Sequence, residues 1–338
     1  MIHFEDGSLV ILDCGRSGWQ LRRLLQKITF DRINALILSH LHNDHCGGAH
    51  AILDHYLDKI DQILIPLDRK PELILANSLI QRLITLTTSK TAEKRPFYVA
   101  FLVRREEQQG RLHPSNDIAS RAVLSVLYPL ALQALNAQVQ TDPNQGSGIL
   151  SLECGNKRVL FPGDAGKMAF DALKSNFESG KRLECELIAT PHHGGKLEKD
   201  ESDCGGFANV YEWLYSEILD VKNAIFSVGS GNGFDHPRID HMDAVRKNGS
   251  YVFCTQMTSQ CHSNPADIGK SLLPILNPSA CSRKGTGCAG TIVAKIFEDR
   301  IDIERFENHK QLVDALHRTQ NPLCRRSVAR TRTTTGTV

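Results

Sequence analysis

Residues 33–48, INALILSHLHNDHCGG, constrain this chain more than any other stretch. The run from Ile33 to Leu38 has the length and composition of a buried strand. It empties at once into four metal-ligand side chains within six positions: His40, His42, Asp44 and His45. Gly47 and Gly48 follow, and then an apolar-periodic segment (Ala51, Leu53, Tyr56, Leu57, Ile60) that predicts a helix. Imidazoles with one carboxylate among them are a common way to hold a hydrolytic divalent ion. A strand end followed by a tight turn lets His40 and His42 converge on one ion, while Asp44 and His45, displaced along the turn, face a second. Ligands at this spacing, between a buried strand and a Gly-Gly helix start, are a specific signal, unlike a surface loop that is merely rich in histidine.

At 338 residues the chain has room for one large domain or two small ones and for a substantial core. Its 41% hydrophobic and 23% charged residues are those of an ordinary soluble globular protein. A net charge of +2 argues neither for nor against a nucleic-acid partner. The start, MIHFEDGSLVILDCG, places acids where a signal peptide needs basic residues and a long apolar run, so the expectation is a cytoplasmic protein without a membrane anchor. The most apolar segment, Ala122 to Val139, carries Pro129, Gln133, Asn136 and Gln138, and reads as a strand followed by a helix. Ten cysteines without an export signal argue for reduced thiols or metal ligands rather than disulfides.

Along the chain, SLVILD at 8–13 predicts a strand that ends in Asp13-Cys14-Gly15, where the acid either orients a neighbouring ligand loop or makes an ordinary turn. Trp19 to Ile28 is amphipathic, Gln62 to Pro66 is strand-like, residues 71–89 predict a helix and Tyr98 to Val103 a strand, which is α/β alternation. Residues 104–120 predict an exposed loop in which His113 is solvated rather than ligating. After a strand at Val123 to Leu127 and a break at TDPNQGSG, runs at Ile149–Leu152 and Arg158–Phe161 flank Gly155-Asn156, a hairpin signal. That hairpin ends in Phe161-Pro-Gly-Asp164-Ala-Gly166, where Asp164 is either a turn aspartate or a carboxylate free to bridge two ions. A third apolar run, 181–190, empties into Pro191-His192-His193-Gly194-Gly195, a pair able to act as ligand and proton shuttle. A helix at Ala208–Leu219 and a strand at Ala224–Val228 lead to a glycine-rich loop presenting His236. Two cysteine pairs of equal spacing, Cys254/Cys261 and Cys281/Cys288, are either a closed tetrahedral zinc site or plain thiols, and their six-residue spacers favour the latter. The segment 289–297 predicts a last strand, and the arginine-bearing tail from Asn321 a disordered end.

Ser39-His-Leu-His-Asn-Asp-His45 resembles the H-x-H-x-D-H signature of the metallo-β-lactamase fold. That resemblance implies an α/β protein, a four-layer αββα sandwich over residues 1–305 with a cysteine-bearing extension near 254–290. A C-terminal helix and basic tail would occupy 306–338. It places Asp13 beside the metal site and Asp164 as the bridging acid. PHHGG, SVGSGNGFDHPR and NQGSGILSL narrow the likeness to the soluble metallo-β-lactamase domain of the DNA-uptake ComEC family. The implied activity is hydrolysis of a phosphodiester, with a nucleic acid or nucleotide as substrate, by two divalent ions, Zn²⁺ or Mn²⁺. His40 and His42 would hold one ion, Asp44, His45 and His192 the other, with Asp44, His193 and His236 serving the chemistry. A small-ester hydrolase of glyoxalase or lactonase type and a non-catalytic regulatory subunit are the alternatives. The chain departs from the family in one respect: no third histidine precedes the Gly-Asp strand, and Asn144 stands near its place, which predicts an under-occupied first site.

Overall fold

The computed structural model describes residues 1–67, 74–88, 98–104, 111–113, 122–135, 142–176, 180–197, 204–231, 233–261, 287–319 and 321–325, with 111–113 and 319 described by backbone alone. The fold is mixed α/β, with sheets flanked by helices. The chain resolves into two compact units. The first comprises 1–180, 189–192 and 296–301, and the second 181–188, 193–295 and 302–338.

In the first unit, β1 (Ile2–His3), β2 (Ser8–Leu12), β3 (Arg32–Ile37), β4 (Gln62–Ile65) and β5 (Tyr98–Phe101) form one sheet in that order. Strands β2 to β5 are parallel, and β1 runs antiparallel on the edge beside β2. Parallel strands covered on both faces read as continuous apolar runs rather than alternating ones. Accordingly Ile33 to Ile37 are all buried. Helices Trp19–Leu25, Ala49–Tyr56 and Ile74–Thr88 provide the crossovers. The last two bury Ile52 and Leu53, and Leu79 and Leu83, against Leu9, Ile11, Leu36 and Ile63. Each such side chain contributes about 1.5–3 kcal/mol when taken from water.

A second set of strands in this unit is antiparallel: β6 (Arg111–His113), β7 (Ala122–Tyr128), β8 (Ile149–Cys154) and β9 (Lys157–Phe161). The expected hairpin around Gly155-Asn156 is β8–β9, in register from Leu150↔Phe161 to Cys154↔Lys157. The expected loop at 104–120 instead contains a short strand, because Arg111 and His113 pair with Ser125 and Leu124.

The second unit holds β10 (Leu183–Ala189), β11 (Leu219–Phe226) and β12 (Tyr251–Cys254), with β11 and β12 parallel. Strand β11 begins five residues before the expected Ala224. Leu219 and Val221 face inward while Asp220 and Lys222 do not, a period of two that excludes a continuing helix. The helix expected over 208–219 is Val210–Trp213, running on as a π-turn to Ile218. The segment 289–297 forms only β13 (Ala294–Ile296), followed by β14 (Ile301–Ile303) and a closing helix, Phe306–Thr319. Among the described residues no helix is long and apolar enough to cross a membrane.

The parallel register of β2 and β3 puts their carboxyl ends side by side, the usual place for a ligand site in such sheets. Gly48 locks the turn beyond β3 onto the turn beyond β2. Its N–H donates to Gly15 O at 2.8 Å, and a Cβ added there would run into backbone atoms of Gly18 and Cys14. Its φ of −80° suits any residue, and alanine there would ordinarily gain about 0.5–1 kcal/mol. The close approach reverses that sign, so Gly48→Ala should cost about 1–3 kcal/mol. Thermal melting of the two proteins checks this: an unchanged or raised Tm would show that the turns are not packed as described.

Candidate metal centre

The site is built from the ends of β2, β3 and β9. Asp13, the first residue past β2, sits at φ 57°, a left-handed conformation that turns its carboxylate towards the next strand. There it accepts from Ser39 N (2.7 Å) and Ser39 Oγ (2.8 Å), and meets His45 Nδ1 at 2.8 Å. Two backbone bonds close the same junction, Asp13 N to Ile37 O and Cys14 N to His45 O, both at 2.8 Å. One carboxylate thus fixes both ends of the loop that carries the histidines.

Within that loop, His42 begins a single helical turn, Asn43–Cys46, which swings Asp44 outward and His45 back into the protein. His40 is fully buried. Its Nε2 lies 3.1 Å from His42 Nδ1 and 3.5 Å from Asp164 Oδ2. His45 Nε2 lies 3.1 Å from Asp164 Oδ1 and 4.0 Å from Asp44 Oδ2. His192 Nε2 lies 3.6 Å from Asp164 Oδ2. Asp164, itself buried, therefore faces both halves of the loop at once.

Asp164 gets there through the turn after β9. Gly163, at φ +53°, is packed so closely that a Cβ would strike the Ser147 and Ser39 hydroxyls, and its carbonyl accepts from His192 N at 3.0 Å. Asp164 N donates to Ser147 Oγ at 3.0 Å, and Gly148 N donates to Ser39 O at 2.9 Å. Two serines that the sequence reading did not single out, Ser39 and Ser147, thus hold the carboxylates in position. The only signal for either was adjacency: Ser39 precedes the first histidine, and Ser147 lies in the glycine-rich segment before β8.

The electrostatics are polarised. Burial, and then the neighbouring charge of His45, lower His40 to about 3, so its imidazole is neutral with a lone pair to offer. Burial works against charge on His45 as well, but Asp13, by charge and hydrogen bond, and then Asp164 outweigh it and raise His45 well above the imidazole range. Burial would likewise raise Asp13, yet His45 and the Ser39 N–H hold it below the carboxylate range. His40 and His45 thus sit 4.1 Å apart, ring centre to ring centre, and in the metal-free site their surroundings push the two imidazoles in opposite directions.

This donor set fits divalent ions. His40, His42 and Asp164 bring ligand atoms within 4.8 Å of one another, and so do Asp44, His45 and Asp164. Adjacent ligands around a tetrahedral ion with bonds near 2.1 Å are about 3.4 Å apart, close to the spacings here. Asn144 Oδ1 is buried without a hydrogen-bond partner, an acceptor that a cation would satisfy. Other expected site residues belong to the second unit or lie outside the described residues. His193 follows His192 by one bond, at φ 55°, and belongs to the second unit. His236 also lies in the second unit, in the loop after β11, stacked on Phe234 at 5.8 Å. Cys281 lies outside the described residues.

In protein stripped of metal, His40 should limit acid stability. Its folded pKa of about 3 lies below the unfolded value near 6.5, so the unfolded chain binds the extra proton and stability falls as the pH drops from 6.5 towards 3. The limiting slope is about 1.4 kcal/mol per pH unit. Denaturant melts of wild type and His40→Gln between these limits check it, and the variant should show the shallower acid limb. Parallel limbs would place the acid sensitivity on other groups.

The metallo-β-lactamase superfamily model matches residues 1–60. A ribonuclease Z of Azobacteroides pseudotrichonymphae genomovar. CFP2 is 44% identical over 43 residues, 13% of this chain. Among solved structures, human tRNase Z, short form, is similar with a TM-score of 0.32 and 18% identity, covering 56% of this chain and 68% of its own. A metal-dependent hydrolase of the β-lactamase superfamily gives a TM-score of 0.37 and 12% identity, covering 74% and 86%. The chain spans 14% of the length of the ribonuclease Z and 43% of a CmlA β-hydroxylase that it also resembles, at a TM-score of 0.37 and 14% identity over 66% of this chain. The superfamily match falls on the segment that builds β1 to β3 and the histidine loop.

Proposed function

We propose that the chain is a metal-dependent hydrolase of the metallo-β-lactamase superfamily acting on phosphodiesters, with nucleic acid or nucleotide as substrate. The observation that carries the reading is Asp164: a buried carboxylate with one oxygen facing His40 and His192 and the other facing His45. A pair of divalent ions would supply an activated water and charge neutralisation for the transferring group. In this assignment His40, His42 and Asp164 hold one ion, and Asp44, His45 and Asp164 the other, with His192 beside the Asp164 oxygen that faces His40. Asn144 stands as an amide-oxygen supplement to the first. Amide oxygen is a poorer zinc ligand than imidazole, so the first ion is the weaker one, and Zn²⁺ or Mn²⁺ occupies it according to supply.

The chain's own residues do the rest. Neutral His40 offers a lone pair instead of a proton. Asp13 fixes the His45 ring through Nδ1, which turns Nε2 to the centre. His193 or His236 delivers a proton to the leaving oxygen. The phosphodiester preference draws on the identity with a ribonuclease Z over the matched segment and on the sequence likeness of 191–195 and 228–238 to the ComEC family.

The test is turnover of a chromogenic phosphodiester beside a thioester, followed by single- and double-stranded nucleic acids, in wild type and Asp164→Ala. Diester cleavage should rise on adding Mn²⁺ or Zn²⁺ and vanish in the variant, with the melting profile of the metal-free proteins largely retained. Thioester cleavage alone would assign the small-ester chemistry instead. Full diester turnover by Asp164→Ala would remove this carboxylate from the reaction.

A further inference from the structure

The second unit carries side chains that the hydrolytic site does not use. Its cysteines do not converge: among the described residues no three of Cys254, Cys261, Cys288 and Cys324 bring sulfur atoms within 4.8 Å of one another. What does converge is a buried cluster of rings, Tyr211, Tyr215, Phe226 and His241, against the turn that begins at His193. Tyr211 lies on the short helix Val210–Trp213, whose start Asn209 fixes by accepting from Tyr211 N at 3.1 Å and Glu212 N at 2.9 Å. His241 lies on the helix Ile239–Lys247. Its ring stacks on Tyr211 at 4.4 Å and meets Phe226 edge-on at 5.5 Å, and its Nε2 lies 3.0 Å from the Tyr215 hydroxyl.

The turn at His193 has to be held. His193 at φ 55° and Gly194 at φ 82° are both left-handed, a conformation that a residue with a side chain keeps only where its surroundings impose it. Three contacts within the unit do so. Tyr211 Oη–H donates to Gly195 O at 3.1 Å, and the Leu197 N–H bonds to the same hydroxyl. Arg238 N donates to Gly194 O at 2.9 Å. Gly194 packs so closely that a Cβ there would strike Phe226 and crowd Pro237. Gly194 and Pro237 each stand one residue beyond a histidine, His193 and His236, so these contacts join the two histidine-bearing segments into one piece. Burial, and then the charge of Asp240, push the Tyr211 phenol up to about 12, so it keeps the proton it donates.

We propose that Tyr211 is a positioning residue for proton delivery: its hydroxyl, with the ring seated on His241, fixes the Gly195 carbonyl and with it the joined turn that presents His193 and His236. The inference rests on the hydrolytic reading above and gives Tyr211 no contact with substrate. In the step it serves, a hydroxide oxygen bonds to phosphorus, the bond to the leaving oxygen breaks, and the proton of the protonated histidine ends on that oxygen. A strongly basic leaving oxygen depends on this proton, whereas a weakly basic one departs as the anion. Tyr211→Phe keeps the ring and its stack on His241 and removes only the hydroxyl, so its effect should follow the leaving group.

The test uses the full chain supplied with Mn²⁺. Tyr211→Phe should lower kcat by about 10- to 100-fold on alkyl or nucleoside diesters at unchanged KM, and by less than about 2-fold on a p-nitrophenyl diester. Replacing the leaving oxygen by sulfur, which departs as thiolate without a proton, should bring the variant back to within about 2-fold of wild type. Deuterium exchange at the Leu197 and Arg238 amides should quicken by at least about 10-fold in the variant. An equal loss on every leaving group would make Tyr211 merely structural, and unchanged exchange would mean that it clamps nothing; either result overturns the inference. Wild type that cleaves no diester at all removes the hydrolytic reading instead and takes the proton-delivery role with it. If Tyr211→Phe does not fold, Tyr215→Phe, which takes the hydroxyl away from His241, should show the same leaving-group pattern in smaller measure. An equal loss across leaving groups there overturns the inference as well.

Discussion

The histidine centre depends on one half-buried carboxylate. Asp13 accepts from the backbone and hydroxyl of Ser39 and meets His45 Nδ1, all within 2.8 Å. It joins the ends of two parallel strands at the point where the chain must leave the sheet. It also sets the protonation of the site, since its charge outweighs burial at His45 while His40, a few ångströms away, stays neutral. Without that anchor the loop of Ser39 to Cys46 would have to order itself on metal binding and lose the corresponding backbone entropy at about 1–2 kcal/mol per residue. The strain of Asp13 at positive φ is the local cost of this arrangement.

Much of this was legible in the sequence for physical reasons. A strand covered on both faces has to be apolar throughout, so Ile33 to Leu38 announced itself and fixed where His40 to His45 begin. The β8–β9 hairpin announced itself through Gly155-Asn156. Asp164 could be named only by resemblance, since an aspartate after a glycine is ordinary turn chemistry until the fold carries it back to Ser39. Strands of two or three residues, such as β1 and β6, are too short to show any period. They exist because a neighbour offers unpaired backbone groups. The serines that hold the carboxylates were invisible for a related reason: a hydroxyl's role is decided by what lies across from it, and sequence spacing does not report that.

The cysteines show the same limit from the other side. Equal spacing is a property of the line of residues, whereas proximity is a property of the fold. Beyond the closing helix, Leu323 N donates to Gln260 O, which brings the chain carrying Cys324, a cysteine outside the spaced pairs, back to the segment of Cys261. The histidine loop leaves Asp44 exposed and His192 partly so.

The claim on which the rest stands is that Asp13 preorganises the metal ligands, and the direct measurement is metal affinity in Asp13→Asn. The amide keeps the shape and the acceptor for Ser39 but loses the charge that fixes His45. Calorimetric titration of the metal-free proteins should show ion binding weakened by about 10- to 100-fold in the variant, with the number of sites preserved. Equal affinity in the two proteins would mean that the loop holds its geometry without Asp13, and would contradict this account of the site.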